Sequence, residues 1–130
     1  MAVTRRTTVA ALALLPVASH AAVRRTPTLE PSPMYGLIGK MRAHPGQRDA
    51  LIAILLEGTA AMPGCLSYII AKDTSDPDAL WITEAWDSQA SHKASLALPA
   101  VQQAITKGRP LIAAFADRFE TEPVPSPHLK

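Results

Sequence analysis

Cysteine is nearly absent from this chain of 130 residues, and Cys65 is the only one. No disulfide can therefore form within the chain, even in an oxidising compartment. The short motifs of common cofactor and metal sites are absent too: CxxC, HExxH, GxGxxG and the P-loop. The histidines are far apart, at His20, His44, His92 and His128. We therefore expect no metal site built from this chain alone, and interpret Cys65 as a small buried apolar residue.

The sequence also lacks an apolar run long enough to cross a bilayer, which takes about 20 residues. The run Val9–Ala18 has ten residues, and it lies between Arg5-Arg6 and the small residues around Ser19–Ala21. These are the three parts of an export signal, so we predict a removable signal over residues 1–21 and an exported protein, periplasmic or secreted. The arginine pair is also similar to a twin-arginine signal, so the general secretory and twin-arginine routes both stay open.

A basic surface is the next feature that is missing. The full chain has 13 basic and 11 acidic residues, but Arg5 and Arg6 lie in the predicted signal, which leaves 11 of each. No stretch rich in lysine and arginine with interleaved aromatic residues occurs elsewhere. The sequence therefore gives no reason to expect a nucleic-acid partner.

Proline marks the two flanks of a single small domain. Residues 22–33 hold three prolines and residues 121–130 hold three more, so both flanks are predicted to be flexible and weakly ordered. The folded unit between them covers residues 34–120, which is small for one self-sufficient core.

Hydrophobic periodicity predicts four strands and a set of helices in this unit. The pattern predicts strands at Met34–Arg42, Cys65–Lys72, Ala79–Trp86 and Leu111–Glu120. A first helix is predicted after Pro45-Gly46 on the apolar stripe Leu51, Ile54, Leu55, Gly58 and Met62, ending at Pro63-Gly64. Ser88 is predicted to cap a further helix that Pro99 divides, with its second part ending at Lys107-Gly108. The order βαββαβ predicts an α+β, ferredoxin-like fold.

The predicted second and third strands are largely apolar on both faces. Leu66–Ala71 and Leu80–Ile82 have few polar side chains on either side, although two helices can cover only one face of a four-stranded sheet. Soluble monomers seldom expose a large apolar face. We therefore expect a homodimer in which the sheets of two copies pack together.

Five side chains are candidates for a site between helix and sheet: Tyr68, Thr83, Glu84, Trp86 and His92. Strand alternation places Glu84 and Trp86 on one face and Thr83 on the other. Each also has a structural interpretation: Trp86 and Tyr68 as core or dimer-face aromatics, Glu84 as a cross-strand partner, and His92 as a solvent-facing histidine.

Two segments carry a resemblance to a known family. They are Met62-Pro63-Gly64-Cys65 with Tyr68 shortly after it, and the run in which Glu84 and Trp86 are followed by His92. Over residues 34–120 the chain resembles the antibiotic biosynthesis monooxygenase family, and in particular its quinol monooxygenases. The resemblance implies a dimeric α+β barrel that oxidises quinols or electron-rich aromatics with molecular oxygen, without flavin, haem or metal.

The resemblance also suggests roles for the candidate residues. His92 would accept a proton, Trp86 would form an aromatic wall, and Glu84 would orient or polarise. Tyr68 and Thr83, as polar groups that could converge on the same space, are the predicted substrate-binding residues. Relatives that degrade haem use an asparagine on the first strand and a later histidine, but this chain has no asparagine and has Ile105 near the second position. The alternative to an enzyme is a non-catalytic dimeric barrel that binds a small apolar ligand or acts in an envelope stress response.

Overall fold

The computed structural model describes residues 32–130. The export signal predicted over residues 1–21, and the flank 22–33 except its last two residues, lie outside the described residues. In chain order the elements are β1 Tyr35–Ala43, α1 Arg48–Gly58, β2 Cys65–Lys72, β3 Ala79–Trp86, α2 Gln89–Ser95, α3 Pro99–Gly108, a 3-10 turn Arg109–Leu111, and β4 Ile112–Thr121.

The four strands of the described chain form one antiparallel sheet in the order β2-β3-β1-β4. In this order β1 and β3 are the central strands, and each helical connection returns to the same side of the sheet. The ferredoxin-like α+β fold predicted from the βαββαβ order is confirmed.

The first helix is shorter than its apolar stripe predicts, since α1 ends at Gly58 and Met62 lies beyond it. The backbone N–H and the hydroxyl of Thr59 both donate to the carbonyl of Leu55, at 3.0 and 2.7 Å, and close the last turn. Gly58 has a packing reason to be glycine, because a side chain there would collide with Ala104 of α3. The turn into β2 then uses Gly64 in a left-handed conformation, with φ +81°.

The sheet has two different faces. The face toward the helices, called here the helix face, includes Tyr35, Leu37, Gly39, Met41, Tyr68, Ile70, Leu80, Ile82, Glu84 and Trp86. The opposite face, called here the open face, includes Gly36, Ile38, Lys40, Ser67, Ile69, Trp81, Thr83, Ala85 and Phe119.

The core lies between the helix face and the helices. Leu51 of α1, with Leu80 and Ile82 of β3, is buried, and Met41 and Leu55 pack around these residues. Transfer of such side chains from water contributes roughly 1.5–3 kcal/mol each. This packing fixes the helices on one side of β1 and β3, which positions the site described below.

The C-terminal flank contacts one end of the open face. A Cβ atom added to Gly36 would lie 3.0 Å from Pro123, so the chain after β4 packs directly on this glycine. At its end, the backbone N–H of Lys130 donates to the carbonyl of Leu66 at 3.4 Å. The rest of the open face keeps large apolar side chains in solvent: Ile69 is 56% and Phe119 is 54% exposed.

Within residues 32–130, none of the helices combines the length and the apolar character needed to cross a membrane.

Candidate active site

Glu84 is the centre of a polar cluster at one end of the helix face. The indole N–H of Trp86 donates to its Oε2 atom at 2.8 Å, and Nε2 of His92 lies 3.7 Å from the same oxygen. Because Glu84 and Trp86 are two residues apart on β3, their side chains share a face, as strand alternation predicts. The carboxylate thus has one hydrogen-bond donor and one nearby imidazole.

His92 is held in place by the start of α2 and by two aromatic rings. The hydroxyl of Ser88 accepts from the backbone N–H of Ser91 at 3.1 Å, so Ser88 caps the helix as predicted. The imidazole lies 5.1 Å from the ring of Tyr35 and 5.4 Å from that of Trp86, measured between centroids. Its side chain is mostly buried, so the solvent-facing interpretation of His92 is wrong.

A second polar group adjoins the first through Tyr35. The hydroxyl of Tyr35 donates to Oε1 of Glu120 at 2.9 Å, and Nη1 of Arg118 lies 3.3 Å from the same oxygen. Register brings these residues together, because Glu120 of β4 pairs with Leu37 and Arg118 pairs with Gly39 on β1.

Burial raises the pKa of Glu84, while the indole of Trp86 and the nearby His92 act in the opposite direction. Burial also raises the pKa of Tyr68, which pairs with Glu84 across β2 and β3, and the charge of Glu84 adds to this effect. The pKa of Tyr35 is raised by burial and by its hydrogen bond to Glu120. Both phenols therefore stay protonated near neutral pH.

A cavity of about 190 Å³ begins at this cluster and runs along the helix face. Its apolar lining comes from Leu37, Met41 and Ile82, and the charged residues that border it are Lys40, Glu84, Asp117 and Arg118. A larger cavity of about 470 Å³ lies under α1 and α3 and shares Met41 and Phe115 with the first. The larger cavity is within the range of ligand sites, about 300–1,000 Å³, and its lining is mainly apolar.

The structure brings four of the five sequence-predicted site residues together. Tyr68, Glu84, Trp86 and His92 share the helix side of the sheet, whereas Thr83 lies exposed on the open face. Trp86 is only 1% exposed, so it supports Glu84 from within the core, and the aromatic ring that lines the cavities is Phe115.

Sequence reasoning missed Tyr35, Arg118 and Glu120. A signal for Tyr35 was available, because alternation along β1 places it on the same face as Leu37 and Gly39. No comparable signal existed for the two charged residues, whose facing depends on how β4 pairs with β1. Among the described residues, no group of three or more side chains is arranged to hold a metal ion.

Fold and site together define a small ferredoxin-like α+β domain with an apolar cavity that ends at a carboxylate–histidine pair. The sequence model of the antibiotic biosynthesis monooxygenase family matches residues 34–107. The chain belongs to this monooxygenase family, as its motifs predict.

Solved structures agree with this assignment. A candidate antibiotic biosynthesis monooxygenase from Chloroflexus aurantiacus J-10-fl is 71% identical, with 72% of this chain and 95% of that chain covered and a TM-score of 0.70. One from Deinococcus radiodurans is 28% identical, with 71% and 94% covered and a TM-score of 0.59. One from Caulobacter crescentus CB15, at 18% identity, 73% and 93% coverage and a TM-score of 0.65, shares the fold. No curated protein matches the sequence.

Proposed function

We propose that the protein is a cofactor-independent monooxygenase that oxidises a quinol or another electron-rich aromatic with molecular oxygen. The observation that carries the proposal is the Glu84–His92 pair at the polar end of a mainly apolar cavity. An aromatic ring would bind against the apolar lining, and its hydroxyl would point toward the carboxylate.

The first step is removal of the phenolic proton. Glu84 lines the cavity and His92 lies 3.7 Å behind its Oε2 atom, so the two side chains act together as the proton acceptor. An imidazolium formed there is stabilised by the neighbouring carboxylate, and Trp86 holds that carboxylate in place by its hydrogen bond. Burial of the pair keeps competing water away.

The second step needs no cofactor, because the substrate itself is the reductant. The phenolate gives one electron to oxygen, the resulting superoxide and aryloxyl radical combine into a bond between oxygen and a ring carbon, and the peroxide anion takes back the proton from the acid–base pair and loses water. For a hydroquinone the balance is one hydroquinone and one oxygen molecule giving one hydroxyquinone and one water. One oxygen atom enters the product, the other leaves as water, and the ring is oxidised as oxygen is reduced.

Oxygen uptake with a panel of hydroquinones tests the proposal. The wild type should consume oxygen in proportion to quinone formed, and His92→Ala should lower turnover about 10²-fold or more, the usual contribution of a positioned acid–base group. His44→Ala is a matched control, because His44 is exposed at the loop after β1. Equal oxygen uptake by folded His92→Ala and His44→Ala would remove His92 from the reaction.

The mainly apolar lining of the larger cavity also favours the alternative, a non-catalytic protein that binds a small apolar ligand. Calorimetry with the same hydroquinones separates the two functions. Tight binding without oxygen uptake or quinone formation would favour the binding protein.

We also propose that two copies pair through the open face. Ile69 and Phe119 remain more than half exposed there, and the C-terminal flank covers only the end near Gly36. Analytical ultracentrifugation at micromolar concentration should give about twice the mass of one chain, and Ile69→Lys should shift the protein toward the monomer. A wild-type monomer would show that the open face needs no second copy.

The exported location is likewise a proposal, resting on Arg5-Arg6 and the apolar run Val9–Ala18. Mass spectrometry of protein from the native cell envelope should find a mature N-terminus at Ala22. An intact N-terminal Met1 or Ala2 would contradict it.

A further inference from the structure

Among the residues that line the smaller cavity, Arg118 is the one that presents a positive charge on the helix face. Lys40 also borders this cavity, but its ammonium group lies on the open face, 3.0 Å from the carboxylate of Asp73. The acid–base proposal assigns Arg118 no role. An unassigned cation beside an apolar cavity raises the question of which ligand group it would meet.

Arg118 lies on the helix face because β4 contains an irregularity. Phe115 pairs with Met41 and Arg118 pairs with Gly39, so three residues of β4 span a step that takes two residues on β1. Side chains three apart on a regular strand point to opposite faces. The bulge at Ala116-Asp117 cancels this alternation and brings both Phe115 and Arg118 to the cavity.

Gly39 gives the guanidinium room over the cavity floor. The cross-strand neighbour of Arg118 has no side chain, and a Cβ atom added to Gly39 would meet no atom within 4 Å. A larger residue there would occupy the space between Arg118 and Ile82. The bulge and the glycine together place an aromatic ring and a cation along the β4 side of the cavity over an apolar floor, while Glu84 lies at its polar end.

Arg118 also has donors to spare. Within residues 32–130 its ion pair is with Glu120, through Nη1 at 3.3 Å, and that carboxylate oxygen already accepts the Tyr35 hydroxyl at 2.9 Å. A guanidinium has five N–H donors in a planar fork suited to anionic oxygens. The side chain is more than half exposed, so the remaining donors can turn to a ligand without breaking a buried contact.

We propose that Arg118 is a substrate-binding residue that recognises an anionic oxygen on an aromatic ring. The oxygen is either the phenolate that proton removal creates or a carboxylate carried by the ring, and the ring lies between Phe115 and the Gly39 floor. A cation at this position favours the ionised over the neutral phenol, and the ionised form is the better electron donor. The inference deepens the proposed function and rests on its cavity, yet it concerns binding and does not require turnover.

Binding of three probes of the same ring tests the inference: 4-nitrophenol, 4-nitrobenzoate and nitrobenzene. The nitrophenolate absorbs at longer wavelength than its acid, so a pH titration of the mixture reports ionisation as well as affinity. Wild-type protein should bind the phenolate in preference to the phenol and lower the apparent pKa of the probe. Arg118→Gln should weaken phenolate binding about tenfold or more and abolish that shift, leaving nitrobenzene affinity unchanged.

The controls separate this role from a general effect of charge. Arg42→Gln makes the same change on the open face, where Arg42 pairs with Asp76, and should leave all three affinities as in the wild type. Arg118→Lys should recover part of the phenolate affinity, since it keeps the charge and loses the fork. If 4-nitrobenzoate depends on Arg118 and 4-nitrophenol does not, the ligand group is a ring carboxylate.

Three results would overturn the inference. They are unchanged phenolate and carboxylate affinity in Arg118→Gln, a larger loss in Arg109→Gln at the far end of the larger cavity, and no binding of any probe by the wild type. Failure of the proposed function looks different, because probes would then bind in an Arg118-dependent manner while hydroquinones consume no oxygen.

Discussion

Substitution of Gly39 by valine tests ligand binding in the cavity separately from the stability of the fold, and does so better than any substitution in the polar cluster. The backbone at Gly39 has no positive φ, and a Cβ atom there meets no neighbour within 4 Å, so valine fits without backbone strain. Glycine inside a strand is destabilising by roughly 0.5–1 kcal/mol relative to alanine, and β-branched residues favour strands. We therefore expect Gly39→Val to keep or raise the free energy of unfolding by about that amount.

The same side chain should obstruct ligand binding. Gly39 forms part of the floor of a cavity of only about 190 Å³, so three added carbon atoms occupy space that an aromatic ring would need. Forcing extra methylene-sized groups into a filled space typically costs about 1–3 kcal/mol. At 1.4 kcal/mol for each factor of ten, affinity should fall roughly 5- to 150-fold.

Thermal melts and calorimetric titration with a hydroquinone measure the two effects on one sample. Gly36→Val is the matched control, because its side chain would collide with Thr121 on the open face and lies outside the cavity. This control should lose stability and keep the affinity of the folded fraction. Unchanged affinity in Gly39→Val, or a loss of stability above 1 kcal/mol, would refute the reasoning.

Other predictions test the electrostatics and the core. Folding raises the pKa of Glu84, so the contribution of this group to stability is present below its unfolded pKa and is lost as the pH rises. The free energy of unfolding of Glu84→Gln, measured by urea titration, should therefore increase relative to that of the wild type between acid and neutral pH. Hydrogen bonds from Lys40 and Trp81 lower the pKa of Asp73, so its contribution to stability is present above its unfolded pKa and is lost in acid. Asp73→Asn should therefore have a lower free energy of unfolding at pH 7, and that free energy should change less than in the wild type as the pH falls. Trp86→Ala should cost about 3–5 kcal/mol by chemical denaturation, whether or not the protein turns over substrate.

The sequence predicted most of the fold because its signals are local. Strands β2 and β3 begin and end where their apolar runs and the flanking turns place them. The helix cap at Ser88 and the division at Pro99 follow from the conformational limits of those residues. The end of α1 was placed too late, because the apolar residue Met62 continues the helical spacing after the backbone has already left the helix at Gly58.

The site was only partly predictable, since facing depends on pairing as well as on sequence. Glu84 and Trp86 lie on an unbroken strand, so alternation placed them correctly relative to each other. Thr83 on the same strand was expected near the substrate as a polar group beside the space between helix and sheet, although strand alternation already assigned it to the other face. The location of His92 depends on where α2 packs over the sheet. A helix of seven residues is too short for its periodicity to predict that position.

Arg118 is the clearest case of a residue whose orientation the sequence pattern does not predict. Counted from Phe115 along a regular strand, it would point away from the cavity, and only the bulge opposite Gly39–Met41 reverses that result. A bulge of one residue leaves little trace in the hydrophobic pattern of β4, whose side chains are largely exposed. The residues proposed for proton transfer and the residue proposed to bind the ligand were therefore not equally predictable from the sequence. The proposed acid–base pair lies on regular elements, with Glu84 on the central strand β3 and His92 on α2, whereas the proposed anion-binding residue is placed by an irregularity in the edge strand β4. A change of one residue in register there should alter ligand binding and leave the core intact.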